Sequence, residues 1–151
     1  MKPDSPLLKI DVNTGQSGFS LLSRISEYSG EGISAYADLL DAPSYLGLEA
    51  LAQAGAYHAR FLCRFERQAV LLMVRDCRLP AEETLTGRCH LAGCLRSRSA
   101  SVFSYGMSAE IGGIRFLEGE FVFSAVTYNS DFREEILRSY YEKKWITLLN
   151  G

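Results

Sequence analysis

The chain has 151 residues, 47% of them hydrophobic and 23% charged, a balance that suits one globular domain and excludes a disordered, collagenous or coiled-coil protein. A formal charge of −2 argues against a general nucleic-acid binder, whose domain is normally strongly basic. No run of about 18 apolar residues is present to span a membrane, and the opening MKPDSPLLKIDVN has no continuous apolar stretch, so a cytoplasmic protein without a secretory signal is expected.

Residues 1–16, broken by Pro3, Pro6 and Gly15, read as an N-terminal arm. The main domain is expected over 17–128. Its first elements are two strands, FSLLSRISEYS (19–29) and GISAYADLL (32–40), joined by a turn at Gly30, Glu31 and Gly32. The segment 42–64, APSYLGLEALAQAGAYHARFLCR, then predicts a helix capped by Asp41 or Ser44, with Pro43 near its first turn. It is apolar nearly all round from Leu46 to Leu62, which marks a buried helix. Ala50, Ala54 and Gly55 would let a sheet approach it closely.

Strands are predicted over 69–79, 84–95, 101–111 and 114–126. Apolar residues recur there at a period of two, as in Leu85, Cys89 and Leu91, or Phe103, Tyr105, Met107 and Ala109, so each strand has one buried face. The economical arrangement is α+β, one antiparallel sheet wrapped around one long central helix. The extension 129–151 carries a second, amphipathic helix. Asp131 and Glu134 resemble its capping box, and Ile136, Leu137, Tyr140, Tyr141 and Trp145 form its apolar stripe. Cys63, Cys77, Cys89 and Cys94 make no C-x-x-C pair and there are only two histidines. Buried free thiols are expected, with no metal site and no cofactor.

Three segments carry a family resemblance. GLEALAQAGAYHARF (47–61), RLPAEETLTGRCHL (78–91) and GGIRFLEGEF (112–121) resemble, in order and spacing, the long helix and two later strands of the 3-hydroxyacyl-acyl-carrier-protein dehydratases. The likeness runs from about residue 19 to 127 and implies a hotdog fold. The family's H-F-P-G-H-P loop is absent: the corresponding stretch is cut to DAPSYLG, and no histidine precedes His58. Tyr45, Gly47, Leu48, Glu49 and Gln53 match a divergent, dehydratase-like branch from polyene-type fatty-acid pathways better than the housekeeping enzymes.

The resemblance implies a protein that acts on, or binds, 3-hydroxyacyl thioesters of acyl carrier protein or coenzyme A, as a homodimer or as a hetero-oligomer with another hotdog protein. Glu49 is an acidic residue in an apolar helix, where burial would raise its pKa and suit it to proton donation. Gln53, one turn on, shares its face and is placed to orient the carboxyl. The pair is the expected catalytic group. Ser44, Tyr45, Leu46 and Gly47 form the helix start, where unsatisfied N–H groups would face the thioester carbonyl. His58 lies nine residues beyond Glu49, about 180° around the helix, and His90 falls on the outer face of its strand; neither is expected to replace the missing histidine. Arg60, Arg64 and Arg67, at helical spacing, and Arg96 and Arg98, in a loop, either dock an acidic carrier protein or simply complement the helix dipole and face solvent. Two alternatives remain: a non-catalytic acyl-binding subunit that pairs with a catalytic dehydratase, and a thioesterase in which the carboxylate activates water.

Overall fold

Period-two patterning builds a single six-stranded antiparallel sheet. The computed structural model describes residues 20–130 and 133–151, so the expected N-terminal arm (1–16) and the Asp131 cap lie outside the described residues. Strands β1 (Leu22–Ser29) and β2 (Gly32–Pro43) form a hairpin; helix α1 (Tyr45–Leu62) follows, then β3 (Gln68–Arg75), β4 (Thr84–Arg98), β5 (Val102–Ile111), β6 (Ile114–Val126) and helix α2 (Glu134–Leu149). The sheet order is β1-β2-β4-β5-β6-β3. The strand that follows α1 therefore crosses to the far edge, and α1 spans the sheet and packs on all six strands.

The inward faces supply the core: Ile33, Ala35 and Ala37 from β2, Cys89 and Leu91 from β4, Phe103, Tyr105, Met107 and Ala109 from β5, Leu117, Phe121 and Phe123 from β6. Small residues set how near α1 comes. A Cβ on Gly55 would stand 2.6 Å from Cε1 of Phe123 and 3.2 Å from Sδ of Met107. Any side chain at 55 would thus push the helix off the middle of the sheet.

α2 closes the other side of α1. Leu137, Tyr141, Trp145 and Leu148 are its buried residues, at the i, i+4, i+8, i+11 spacing of one helical face. Trp145 stacks on Phe61 at 5.5 Å and meets Tyr28 and Phe65 edge-on, while Tyr141 meets Tyr57.

Some boundaries differ from the sequence expectation. α1 starts at Tyr45, not 42, because β2 continues to Pro43 beside β4. Ser44 holds the N-cap position with no side-chain cap hydrogen bond. Asp41 is no cap either; its backbone has φ 48° and its N–H donates to Thr86 Oγ1 at 2.8 Å. β3 ends at Arg75, just before Asp76 turns the chain with φ 53°. Ile136 is exposed because it lies one position off the Leu137–Tyr141 stripe. Of the four free cysteines, Cys63 and Cys89 are buried, Cys77 is partly buried and Cys94 is exposed.

Candidate functional site

One stripe of α1 lines a groove. Glu49, Ala52, Gln53, Ala56, Tyr57 and Arg60 face a cavity of about 250 Å³, at the spacing i, i+3, i+4, i+7, i+8, i+11 that a helix places on one side. The opposite walls are Ala69, Val70 and Leu71 of β3, Phe123 of β6, and Tyr140 and Tyr141 of α2, with Ser20 beside β1. Glu49 to Arg60 is three helical turns, about 16 Å at 1.5 Å per residue. Glu49 is partly buried whereas Arg60 is 2% exposed, so the groove deepens from the carboxylate towards the guanidinium.

The polar groups along this stripe are held individually. Gln53 is buried, and its Oε1 accepts the Leu21 N–H at 2.8 Å, tying the helix to the start of β1. The Ser20 hydroxyl, next in the chain, is buried with no hydrogen-bond partner among the described residues. Burial pushes the hydroxyls of Tyr57 and Tyr141 well above the ordinary tyrosine value, with the Arg60 charge opposing the rise. Both remain neutral donors at physiological pH.

Arg60 is not at the surface, so the expected docking role does not suit it. Its Nε donates to Oε1 of Gln68 at 2.9 Å, its Nη2 donates to the same oxygen, and the guanidinium stands 3.7 Å from the centroid of the Tyr141 ring. The remaining expected docking residues are at least partly accessible. Arg64 follows α1, and Arg67 precedes β3 and donates from Nη2 to the carbonyl of Ala100 at 2.9 Å. Arg98 ends β4 one turn from that carbonyl, over the Phe103 ring at 5.2 Å. These three share one end of the molecule, while Arg96 lies against Gly106 on β5.

The four residues at the start of α1 are not part of the cavity lining. The Ser44 N–H is bonded to the carbonyl of Glu83 and the Gly47 N–H to that of Ser44, both at 3.1 Å, so these two donors are engaged. The Tyr45 and Leu46 N–H groups make no hydrogen bond outside the helix among the described residues.

Neither histidine reaches the groove. His58 is wholly buried. Its Nε2 lies 2.7 Å from the carbonyl of Ser29, which can only accept, so Nε2 carries the proton; Nδ1 then accepts from the Tyr105 hydroxyl at 2.8 Å. Burial lowers its pKa. His90 sits on the outer face of the sheet with Nε2 2.6 Å from the Ser34 hydroxyl and its ring beside Tyr36. Sequence reasoning found Glu49 and Gln53 but missed Ser20, Tyr57 and Arg60 as groove residues. The i+11 spacing from Glu49 to Arg60 was the available signal.

No protein-family model matches the chain, and no curated protein is significantly similar to it. Solved structures do match. A dehydratase heterocomplex, ApeI:P, from Xenorhabdus doucetiae aligns over 75% of this chain and 86% of its own at 15% identity and a TM-score of 0.60. A mutant thioesterase from Pseudomonas aeruginosa aligns over 84% and 96%, at 13% identity and a TM-score of 0.57. A thioesterase from Haemophilus influenzae aligns over 68% and 77%, at 8% identity and 0.57. At such identities the likeness concerns the backbone. With its six-stranded antiparallel sheet around α1 and its added C-terminal helix, the chain has the hotdog fold.

Proposed function

We propose that the groove binds a 3-hydroxyacyl thioester of acyl carrier protein or coenzyme A, and that Glu49 moves the proton in its dehydration. The observation that carries this reading is one carboxylate at the shallow end of a largely apolar groove that Ser20 also lines, the Ser20 hydroxyl being buried beside it with no hydrogen-bond partner among the described residues. The Glu49 carboxylate takes the Cα proton, the Cα–Cβ double bond forms as the Cβ–O bond breaks, and the same proton leaves with the hydroxyl as water. Ser20 is available to hydrogen-bond the departing oxygen. The start of α1 lies outside the cavity lining, so its dipole favours charge on the thioester carbonyl only at the mouth of the groove, one turn before Glu49.

The sheet edge supports an assembly of two hotdog protomers. β3 is an edge strand that exposes Leu71, Leu72 and Met73 in succession, and an exposed apolar edge invites pairing. A second hotdog protomer paired there lies next to the groove, because Val70 and Leu71 belong to both. Arg64, Arg67 and Arg98, gathered at one end, fit the docking of an acidic carrier.

A second reading, a binding subunit that works with a catalytic hotdog partner, is favoured by the engagement of both histidines away from the groove. The test is to incubate the protein with 3-hydroxydecanoyl thioesters of coenzyme A and carrier protein, alone and mixed with an active hotdog dehydratase. Enoyl thioester formed by the protein alone is the expected result. Turnover altered only in the mixture supports the second reading, and release of free thiol makes the protein a thioesterase. Neither turnover nor binding of any thioester overturns the proposal.

A further inference from the structure

A buried guanidinium without a carboxylate is costly, since a desolvated charge is normally paired. Arg60 is 2% exposed, and none of the ion pairs formed among the described residues includes it. Its hydrogen bonds run from Nε and Nη2 to Gln68 Oε1 and from Nη2 to the carbonyl of Ala69 at 3.5 Å. All its acceptors among the described residues are neutral. Nη1 makes no hydrogen bond among the described residues, yet Arg60 lines the cavity. The rings of Tyr141 at 3.7 Å and Tyr57 at 5.8 Å offset part of the desolvation through their negative faces. They also restrict the plane of the fork, and the two Nη1 protons have no acceptor among the described residues.

We propose that Arg60 is a subsite for an anionic chain end, so that the groove prefers acyl thioesters whose far terminus is a carboxylate. The proposal rests on the reading that the thioester lies near Glu49. The chain then runs along Ala52 and Ala56, opposite Val70 and Phe123, over about 16 Å of helix, and its terminal carboxylate meets Nη1. Charge explains the choice of ligand: a carboxylate neutralises the buried cation and accepts charge-assisted hydrogen bonds, whereas a methyl end leaves both uncompensated. Gln68 and Tyr141 hold the guanidinium in place without competing for its charge.

The experiment compares binding of sebacyl-coenzyme A, its terminal methyl ester and decanoyl-coenzyme A to the full chain by calorimetry. These probes share a ten-carbon acyl chain and differ at its far end, a carboxylate in the first, a neutral ester in the second and a methyl group in the third. The expected result is at least about tenfold tighter binding of sebacyl-coenzyme A, consistent with the usual strength of a hydrogen bond to a charged group. Arg60→Met is expected to abolish that preference, read as the ratio of the sebacyl- and decanoyl-coenzyme A affinities within the variant. Equal affinity for the three probes in the wild type, or a preference retained in Arg60→Met, overturns the subsite while leaving an acyl groove intact. Failure of all three to bind overturns the acyl-thioester reading itself. Should Arg60→Met not fold, the wild-type comparison with the methyl ester still decides the matter.

Discussion

Nδ1 of His58 lies 2.8 Å from the Tyr105 hydroxyl, in the interior between α1 and β5. With Nε2–H donating to the carbonyl of Ser29, both ring nitrogens are satisfied only while the imidazole is neutral. A second proton would sit on Nδ1, displace the Tyr105 donor and leave a charge in the core. Burial lowers the pKa, the Ser29 hydrogen bond opposes that, and the Arg98 charge adds to it.

The unfolded chain therefore binds the His58 proton more tightly than the native protein. Stability from this group is complete above the ordinary value of 6.5 and falls as pH drops below it towards the native pKa. The slope approaches about 1.4 kcal/mol per pH unit for one proton. Urea unfolding between pH 7.5 and 5 should show this decline in the wild type and a shallower one in His58→Gln. Parallel curves for the two proteins would mean that His58 does not titrate on unfolding.

The C-terminal helix is expected to be integral to the fold. Trp145 is 7% exposed and touches the rings of Tyr28, Tyr57, Phe61 and Phe65. Removing a large buried aromatic typically costs about 3–5 kcal/mol. Trp145→Ala should lower the unfolding midpoint accordingly, whereas Ile146→Ala, on the exposed side of the same helix, should change stability by no more than about 0.5 kcal/mol. Similar small effects for both would contradict the packing described.

How much of this was legible in the sequence depends on whether the cause was local. β4, β5 and β6 were readable because Cys89, Leu91, Phe103, Tyr105, Met107, Phe121 and Phe123 face one core at a period of two. Glu49 and Gln53 stood out because they interrupt an apolar helix. Arg60 did not, because a cation in the last turn of a helix ordinarily faces water and complements the dipole. Its burial is caused by Gln68 on β3 and Tyr141 on α2, and neither contact leaves a trace in the local pattern. The end of β2 was misjudged for a similar reason: Ala42 and Pro43 pair with Leu85 and Thr84, so a distant strand keeps extended residues that local signals assign to a helix.

Self-association through β3 has a direct test. Leu72 is 53% exposed and Met73 46%, beside a register shift between Leu71 and Met73. Charge at an edge strand blocks pairing with little cost to the protomer itself. The wild type should sediment as a dimer at micromolar concentration, and Leu72→Lys with Met73→Lys should sediment as a monomer with an unchanged circular dichroism spectrum. A wild-type monomer would remove the edge-pairing proposal, and a dimer that survives both lysines would move the interface elsewhere.

Glu49→Gln tests the chemistry with the least change of shape. Glutamine fills the same space and keeps a carbonyl oxygen, but it cannot accept and return a proton. General acid–base groups typically contribute about 10²–10⁴-fold, so dehydration of a 3-hydroxyacyl thioester should fall by that order while KM changes little. Ser20→Ala should give a smaller loss, about tenfold, since it removes one hydrogen bond to the departing oxygen. His90→Ala should leave turnover near wild type, because its ring faces Ser34 and Tyr36 on the outside of the sheet. Full activity in Glu49→Gln would refute its role as proton carrier. A large loss in His90→Ala with the fold intact would place the reacting group on the outer face of the sheet, away from the groove.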